Sequence, residues 1–249
     1  MSQITLIKSS MPARVCKSYR LENGNLVKDV IANVTSGEGT IVDVHNAEKM
    51  MAVLQAVTQR DDIVICPGIW RNAEPGMKFK VMSEAALCDL VNGLPGKVAG
   101  GVIMHNGEPV SARLKRGISN SEWILFDADN PAGIPDEWAT MNIGRRLELW
   151  EPFLPGIMEA ERIELRGSSA RVVKKGKQPG HATHAWVKIT NPELLQQLKA
   201  HIRIQMSLHN VSFVFNKHSK DNGSIVAQEP RSVFDLAVFD TGRLVFCAK

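Results

Sequence analysis

Hydrophobic and polar positions alternate with a period of two in Ile4 to Lys8, Leu26 to Val34 and Thr40 to Val44, which predicts three strands. The period then changes. In AEKMMAVLQAVTQ the apolar residues recur at helical spacing, directly behind Asn46, whose side chain can cap a first turn. Asp61 and Asp62 end that helix, and the short β-branched run IVIC (63–66) predicts a buried strand. Ser83 to Val91 predicts a second helix, closed by the breakers Gly93 and Pro95. A glycine-rich stretch from Lys97 to Met104 leads into a basic segment, ARLKRG (112–117).

The second half has a clearer rhythm. Glu122 to Phe126 predicts a strand running into Asp127; Pro131 and Pro135 break it, and a helix is predicted from Asp136 to Trp150. Strands are predicted at Arg162 to Leu165, Ala170 to Val173 and Ala185 to Ile189. Asn191 and Pro192 open the helical pattern ELLQQLKAHIRIQ. SFVF (212–215), a polar turn KDNGS, and the apolar runs VFDLAVF (233–239) and RLVF (243–246) follow, the last two joined by Asp240-Thr241-Gly242. Helices alternating with short strands indicate an α/β or α+β chain with a central sheet.

Composition narrows the classes. The chain has 249 residues, 44% hydrophobic and 22% charged, which is an ordinary globular balance long enough for one large domain or two small lobes. An aromatic share of 6% argues against a stacking-rich single-strand binder. The net charge of +4 suits a polyanionic partner without requiring one. Cys16, Cys66, Cys88 and Cys247 form no C-x-x-C pair, so no zinc site is expected. The opening MSQITLIKSSMPAR is too polar after its short apolar run to read as a signal peptide, and no stretch approaches the roughly 20 apolar residues that cross a bilayer. The expectation is a cytoplasmic protein with reduced thiols and no membrane partner.

Three segments carry candidate chemistry. In ILFDADNP (124–131) two aspartates one residue apart end an apolar run; on a strand both would face one side, where two carboxylates repel unless a cation lies between them. Hard oxygen donors of that kind suit Mg²⁺ or Mn²⁺. A polar turn with Asx hydrogen bonds from Asp129 and Asn130 is the plainer reading. In GHATHAWVKI (180–189), His181 and His184 precede an apolar strand and can bond a phosphate, hold a metal or serve the structure alone. The preceding RGSSARVVKKGKQPG (166–180) is either a loop able to wrap polyphosphate or a solvated hairpin. In RSVFDLAVFDTGRLVF, Asp235 interrupts an apolar run, where a carboxylate costs several kcal/mol unless it is paired or binds metal; Arg231 or Arg243 could pair it.

An apolar strand ending in D-x-D, then a small residue and histidine ahead of an apolar strand, then an aspartate within an apolar run, resembles in order the three motifs of the archaeo-eukaryotic primase superfamily. In detail the chain looks like the primase-polymerases of phages, plasmids and mobile elements, above all in R-S-x-F-D-L-A-V-F followed by G-R-L-V-F. The resemblance covers roughly residues 100 to 249. It implies an α+β primase-like catalytic core, with an α/β module (about 1–105) packed on an RRM-like module (about 106–249) and the active site in the cleft. It implies that Asp127, Asp129 and Asp235 hold two divalent ions, Mg²⁺ or Mn²⁺, and that His184 contacts the triphosphate of the incoming nucleotide. Arg243 and Lys249 match basic residues that grip the triphosphate. The family's second motif often has serine two residues before the histidine; here Ala182 stands there, and Ser168, Ser169 or Thr183 would supply the hydroxyl, with Arg171 beside them.

The activity implied is template-directed nucleotidyl transfer, a DNA primase or DNA polymerase working on single-stranded DNA template, primer and dNTP or NTP. Basic residues at Arg113, Lys115, Arg116, Lys174 and Lys175 are candidates for nucleic-acid phosphates. The chain ends just after the third segment, so the expectation is the catalytic part of a longer protein, with a helicase domain or protein as partner. Two other readings compete. A metal-dependent nuclease or replication initiator would use His181 and His184, but that class usually needs a nucleophilic tyrosine, and Tyr19 lies far from the motifs in sequence. A non-catalytic nucleic-acid-binding module on a primase fold would not need the D-x-D, histidine and aspartate together.

Overall fold

The computed structural model describes residues 2–23, 25–31, 33–131, 133–166, 183–219 and 221–245. The chain is α+β, and its contacts divide it into two units, Met1–Trp123 with Thr241–Lys249, and Ile124–Asp240.

In the first unit the chain runs β1 (Gln3–Met11), β2 (Cys16–Glu22), β3 (Asn25–Ile31), β4 (Ser36–Asp43), α1 (Ala47–Thr58), β5 (Ile63–Cys66), β6 (Gly68–Trp70), β7 (Lys78–Met82), α2 (Glu84–Val91), β8 (Ile103–His105), β9 (Glu108–Ala112) and β10 (Ile118–Asn120). Six strands form one mixed sheet in the order β5-β1-β4-β7-β9-β8. β1 is antiparallel to both β4 and β5, so β4 and β5 run the same way on either side of it. Two consecutive strands that run the same way need a crossover, and α1 supplies it. β7 and β9 are parallel, with α2 in the connection between them. Asn46 caps α1 by accepting from the Lys49 amide at 2.9 Å, and Ser83 caps α2 at the Ala86 amide. Ile7, Ile41, Val64, Trp70 and Phe79 are buried together, and Leu87, Cys88, Val98 and Val110 form a second cluster under α2. Val245, after the chain returns to this unit, exchanges two backbone hydrogen bonds with Ile65.

The second unit takes up the chain within β11 (Trp123–Asp127) and continues through α3 (Asp136–Ala139), α4 (Ile143–Glu148), β12 (Arg162–Arg166), β13 (Thr183–Lys188), α5 (Leu195–Leu208), β14 (Phe213–His218) and β15 (Ile225–Arg231). β13 lies between β11 and β12, and β14 pairs with β15 as a separate ribbon. Phe126 is the hub of an aromatic cluster. Its ring meets Phe234, Phe239 and Trp150 edge-on at 5.2, 5.3 and 5.7 Å, and Trp150 meets Phe234 at 4.9 Å.

Several elements differ from the sequence pattern. The helix expected from Asp136 to Trp150 is two short helices, because Asn142 leaves the helical path to accept from the Arg145 amide and start α4 afresh. The run VFDLAVF is not a strand. Asp235 caps a 3₁₀ turn, Leu236–Phe239, by accepting from the Ala237 amide at 2.9 Å. A continuous apolar run carries no period, so burial alone could not choose between the two. Asn191 makes no side-chain cap; a 3₁₀ turn at Pro192–Leu194 leads into α5 instead. The strand expected at Ala170 to Val173 lies outside the described residues. Among the described residues no helix is long and apolar enough to cross a membrane.

Candidate active site

The three chemistry-bearing segments meet in the second unit. Trp123, Ile124, Leu125 and Phe126 bury almost completely as β11, and the strand reaches Asp127 at its end. Burial of the four preceding side chains fixes where that carboxylate sits. β13 is the neighbouring strand, tied on by the Ala128 amide donating to the Thr183 carbonyl at 3.0 Å. This pairing sets His184 beside Asp127, with Nε2 3.4 Å from Oδ1 and each side chain only 14% exposed. The third segment arrives through the backbone: the Asp235 amide donates to the Asp127 carbonyl at 2.9 Å. Phe234 and Phe239 hold that contact by packing on Phe126, the residue before Asp127. Two residues 108 positions apart in the chain are therefore main-chain neighbours.

Asp129 is exposed beyond the buried Ala128. Asn130 does not close a local turn with its side chain. Its amide nitrogen donates to the Ala139 carbonyl at 2.9 Å, and its amide oxygen accepts from Arg146. Arg146 is fully buried, and its Nη1 donates to the Val233 carbonyl at 2.7 Å. Burial pulls its guanidinium down to about 10, against the opposing pull of the Asp129 and Asp127 carboxylates, so it stays charged at neutral pH. Neither Arg146 nor Asn130 was expected from the motifs. A signal was present for the arginine: Ile143, Arg146, Leu147 and Trp150 share one helical face, and Arg146 is the charge in an otherwise apolar set.

The other expected residues are distributed as follows. Thr183 is half-buried at the start of β13. Ser168, Ser169, Arg171, Lys174, Lys175, His181 and Lys249 lie outside the described residues. Arg243 is exposed and belongs to the first unit. Arg113, Lys115 and Arg116 also belong to the first unit. Arg113 donates to the Gly242 carbonyl at 3.0 Å, and Arg116 bonds Glu84 at 2.8 Å and the Val98 carbonyl at 2.9 Å; Lys115 is exposed. Gly117, which ends this segment, serves close backbone approach: a Cβ there would sit 2.0 Å from the Gly101 nitrogen. Arg231, one of the two arginines that could pair Asp235, has its guanidinium carbon 4.0 Å above the Phe215 ring.

The donors at this strand end are carboxylate oxygens, the chemistry that hard divalent cations prefer. Asp127 has a mostly buried carboxylate, its carbonyl is joined by backbone to Asp235, and Asp129 lies two residues further along the same segment. As the side chains stand, no group of three or more His, Cys, Asp or Glu among the described residues is gathered closely enough to hold one. No protein-family model, curated protein or solved structure matches this chain.

Proposed function

We propose that this chain is a template-directed nucleotidyltransferase of the archaeo-eukaryotic primase type, acting as a DNA primase, a DNA polymerase or both. The observation that carries the reading is the meeting of Asp127, His184 and Asp235 at one strand end, since these are the residues that the ordered motifs single out. On this reading the RRM-like module, expected over about 106–249, has its motif-bearing part in the unit Ile124–Asp240. Asp127, Asp129 and Asp235 are the residues to hold Mg²⁺ or Mn²⁺, which would activate a 3′-hydroxyl and offset phosphoryl charge.

The chain's own side chains then have distinct tasks. Asp127, mostly screened from water, presents a charge that acts more strongly than it would on an open surface. His184, equally screened and fixed by β13, can donate a hydrogen bond to a triphosphate oxygen without rearrangement. Asp235 uses one oxygen on the Ala237 amide, which fixes the direction of its carboxylate. Ser168, Ser169, Arg171, Thr183, Arg243 and Lys249 are further candidates for the triphosphate, and Arg113, Lys115, Arg116, Lys174 and Lys175 for template or primer phosphates.

The test is incubation with a single-stranded template, labelled dNTPs or NTPs and Mg²⁺ or Mn²⁺, with and without primer. Template-dependent extension that Asp127→Ala/Asp129→Ala abolishes is the expected result, and the lane without primer separates primase from polymerase. No product with either metal, or product that the double variant leaves unchanged, would overturn the reading in favour of a nuclease or a non-catalytic binding module.

A further inference from the structure

Arg146 is a side chain charged at neutral pH with no exposed surface, and among the described residues its hydrogen bonds go to neutral acceptors. Its Nε donates to the Met141 carbonyl at 3.3 Å, its Nη1 to the Val233 carbonyl at 2.7 Å and its Nη2 to Asn130 Oδ1. Those acceptors belong to three separate stretches of chain. Met141 lies between α3 and α4, Asn130 directly follows Asp129, and Val233 comes two residues before Asp235. A planar fork with donors in fixed directions can join three such stretches; the single nitrogen of lysine cannot. Neutral acceptors satisfy the N–H groups but leave the charge. A buried charge is costly unless opposite charge stands near it. Asp129 directly precedes Asn130, the acceptor of Nη2, and the carboxylates of Asp129 and Asp127 both favour the charged form of Arg146.

We propose that Arg146 is the positioning residue of the acidic site: it clamps the segment after Asp129 to the segment before Asp235, and its buried charge balances Asp127 and Asp129. The proposal rests on the nucleotidyl-transfer reading only in calling this acidic strand end an active site. Two carboxylates at one strand end repel each other, and an opposite charge close by relieves that. Here part of the relief is built into the fold. The acidic segment thus keeps its shape before any ion or substrate arrives, which is preorganisation of the kind that lowers the cost of binding. The same charge also moderates affinity for a cation, because it repels one.

The test needs no turnover. Melting temperature is measured in the presence of chelator for the wild type, Arg146→Met, Asp127→Asn/Asp129→Asn and the triple variant. Arg146→Met is expected to lower the melting temperature by several degrees more in the wild-type background than in the background lacking both carboxylates. In the latter it removes a buried charge that has already lost its balance. Equal losses in both backgrounds would assign Arg146 to packing alone and overturn the proposal. Should Arg146→Met not accumulate as folded protein, Arg146→Gln enters the same cycle, keeping an amide donor and dropping the charge. A second arm follows Mn²⁺ binding by electron paramagnetic resonance. Arg146→Lys keeps the charge and loses the fork, and is expected to weaken Mn²⁺ binding about tenfold; unchanged affinity would count against the clamp. A wild type that binds no Mn²⁺ defeats the nucleotidyl-transfer reading, and the melting cycle still judges Arg146.

Discussion

Cys66 and Asp127 show how burial sets chemistry one side chain at a time. Cys66 ends β5 inside the first unit, fully buried, and burial pushes its thiol up to about 12 from an ordinary 9.0. The folded chain therefore keeps a proton that the unfolded chain gives up above pH 9, and stability contributed by this group falls as pH rises from there toward 12. Thermal melts across that range should show a loss that Cys66→Ala reduces. A melting profile identical for the two proteins would contradict it. The same protonation makes the thiol inert, so Cys66 should resist thiol reagents at pH 8 until the protein is unfolded. Asp127 ends β11 with a mostly buried carboxylate beside His184.

The aromatic cluster around Phe126 is what makes elements distant in the chain into one site. Phe126 sits one residue before Asp127, and Phe234 one residue before Asp235, so their packing at 5.2 Å sets the approach of the two acidic segments. Phe126→Ala should cost about 3–5 kcal/mol, the scale for removing a fully buried ring. Urea denaturation measures it, and a loss under about 1 kcal/mol would mean that the cluster does not organise this unit. Much at this scale was legible in the sequence. Helical spacing behind Asn46 gave α1 with its cap, the stretch from Ser83 to Val91 gave α2 though not Ser83 as its cap, and β-branched residues gave β5 to the residue. What failed had a common cause. VFDLAVF and the run from Asp136 to Trp150 are both governed by local capping, at Asp235 and Asn142, which competes with the period of the apolar positions. Short strands such as β8 and β10, three residues each, contain too few positions to show any period.

Over the whole molecule, the chain leaves the first unit after Trp123 and returns at Thr241, so the motif-bearing stretch 124–240 is one continuous unit. The order of the acidic residues and the histidine along that stretch was readable. Their convergence was not, because it depends on β13 lying beside β11 and on the backbone bond between Asp235 and Asp127. Arg146 was hidden for a related reason: a lone arginine on an apolar helical face announces burial, but only the fold shows which charges surround it.

Asp235→Asn is the sharpest test of that convergence. Asparagine can keep the cap on Ala237, so the 3₁₀ turn is retained while one negative charge is lost. Primer extension on a single-stranded template in Mn²⁺ should fall at least about a hundredfold, the scale on which a single charge-stabilising group acts, with the melting temperature little changed. Extension at the wild-type rate by a correctly folded Asp235→Asn protein would contradict the claim that the third segment belongs to the active site.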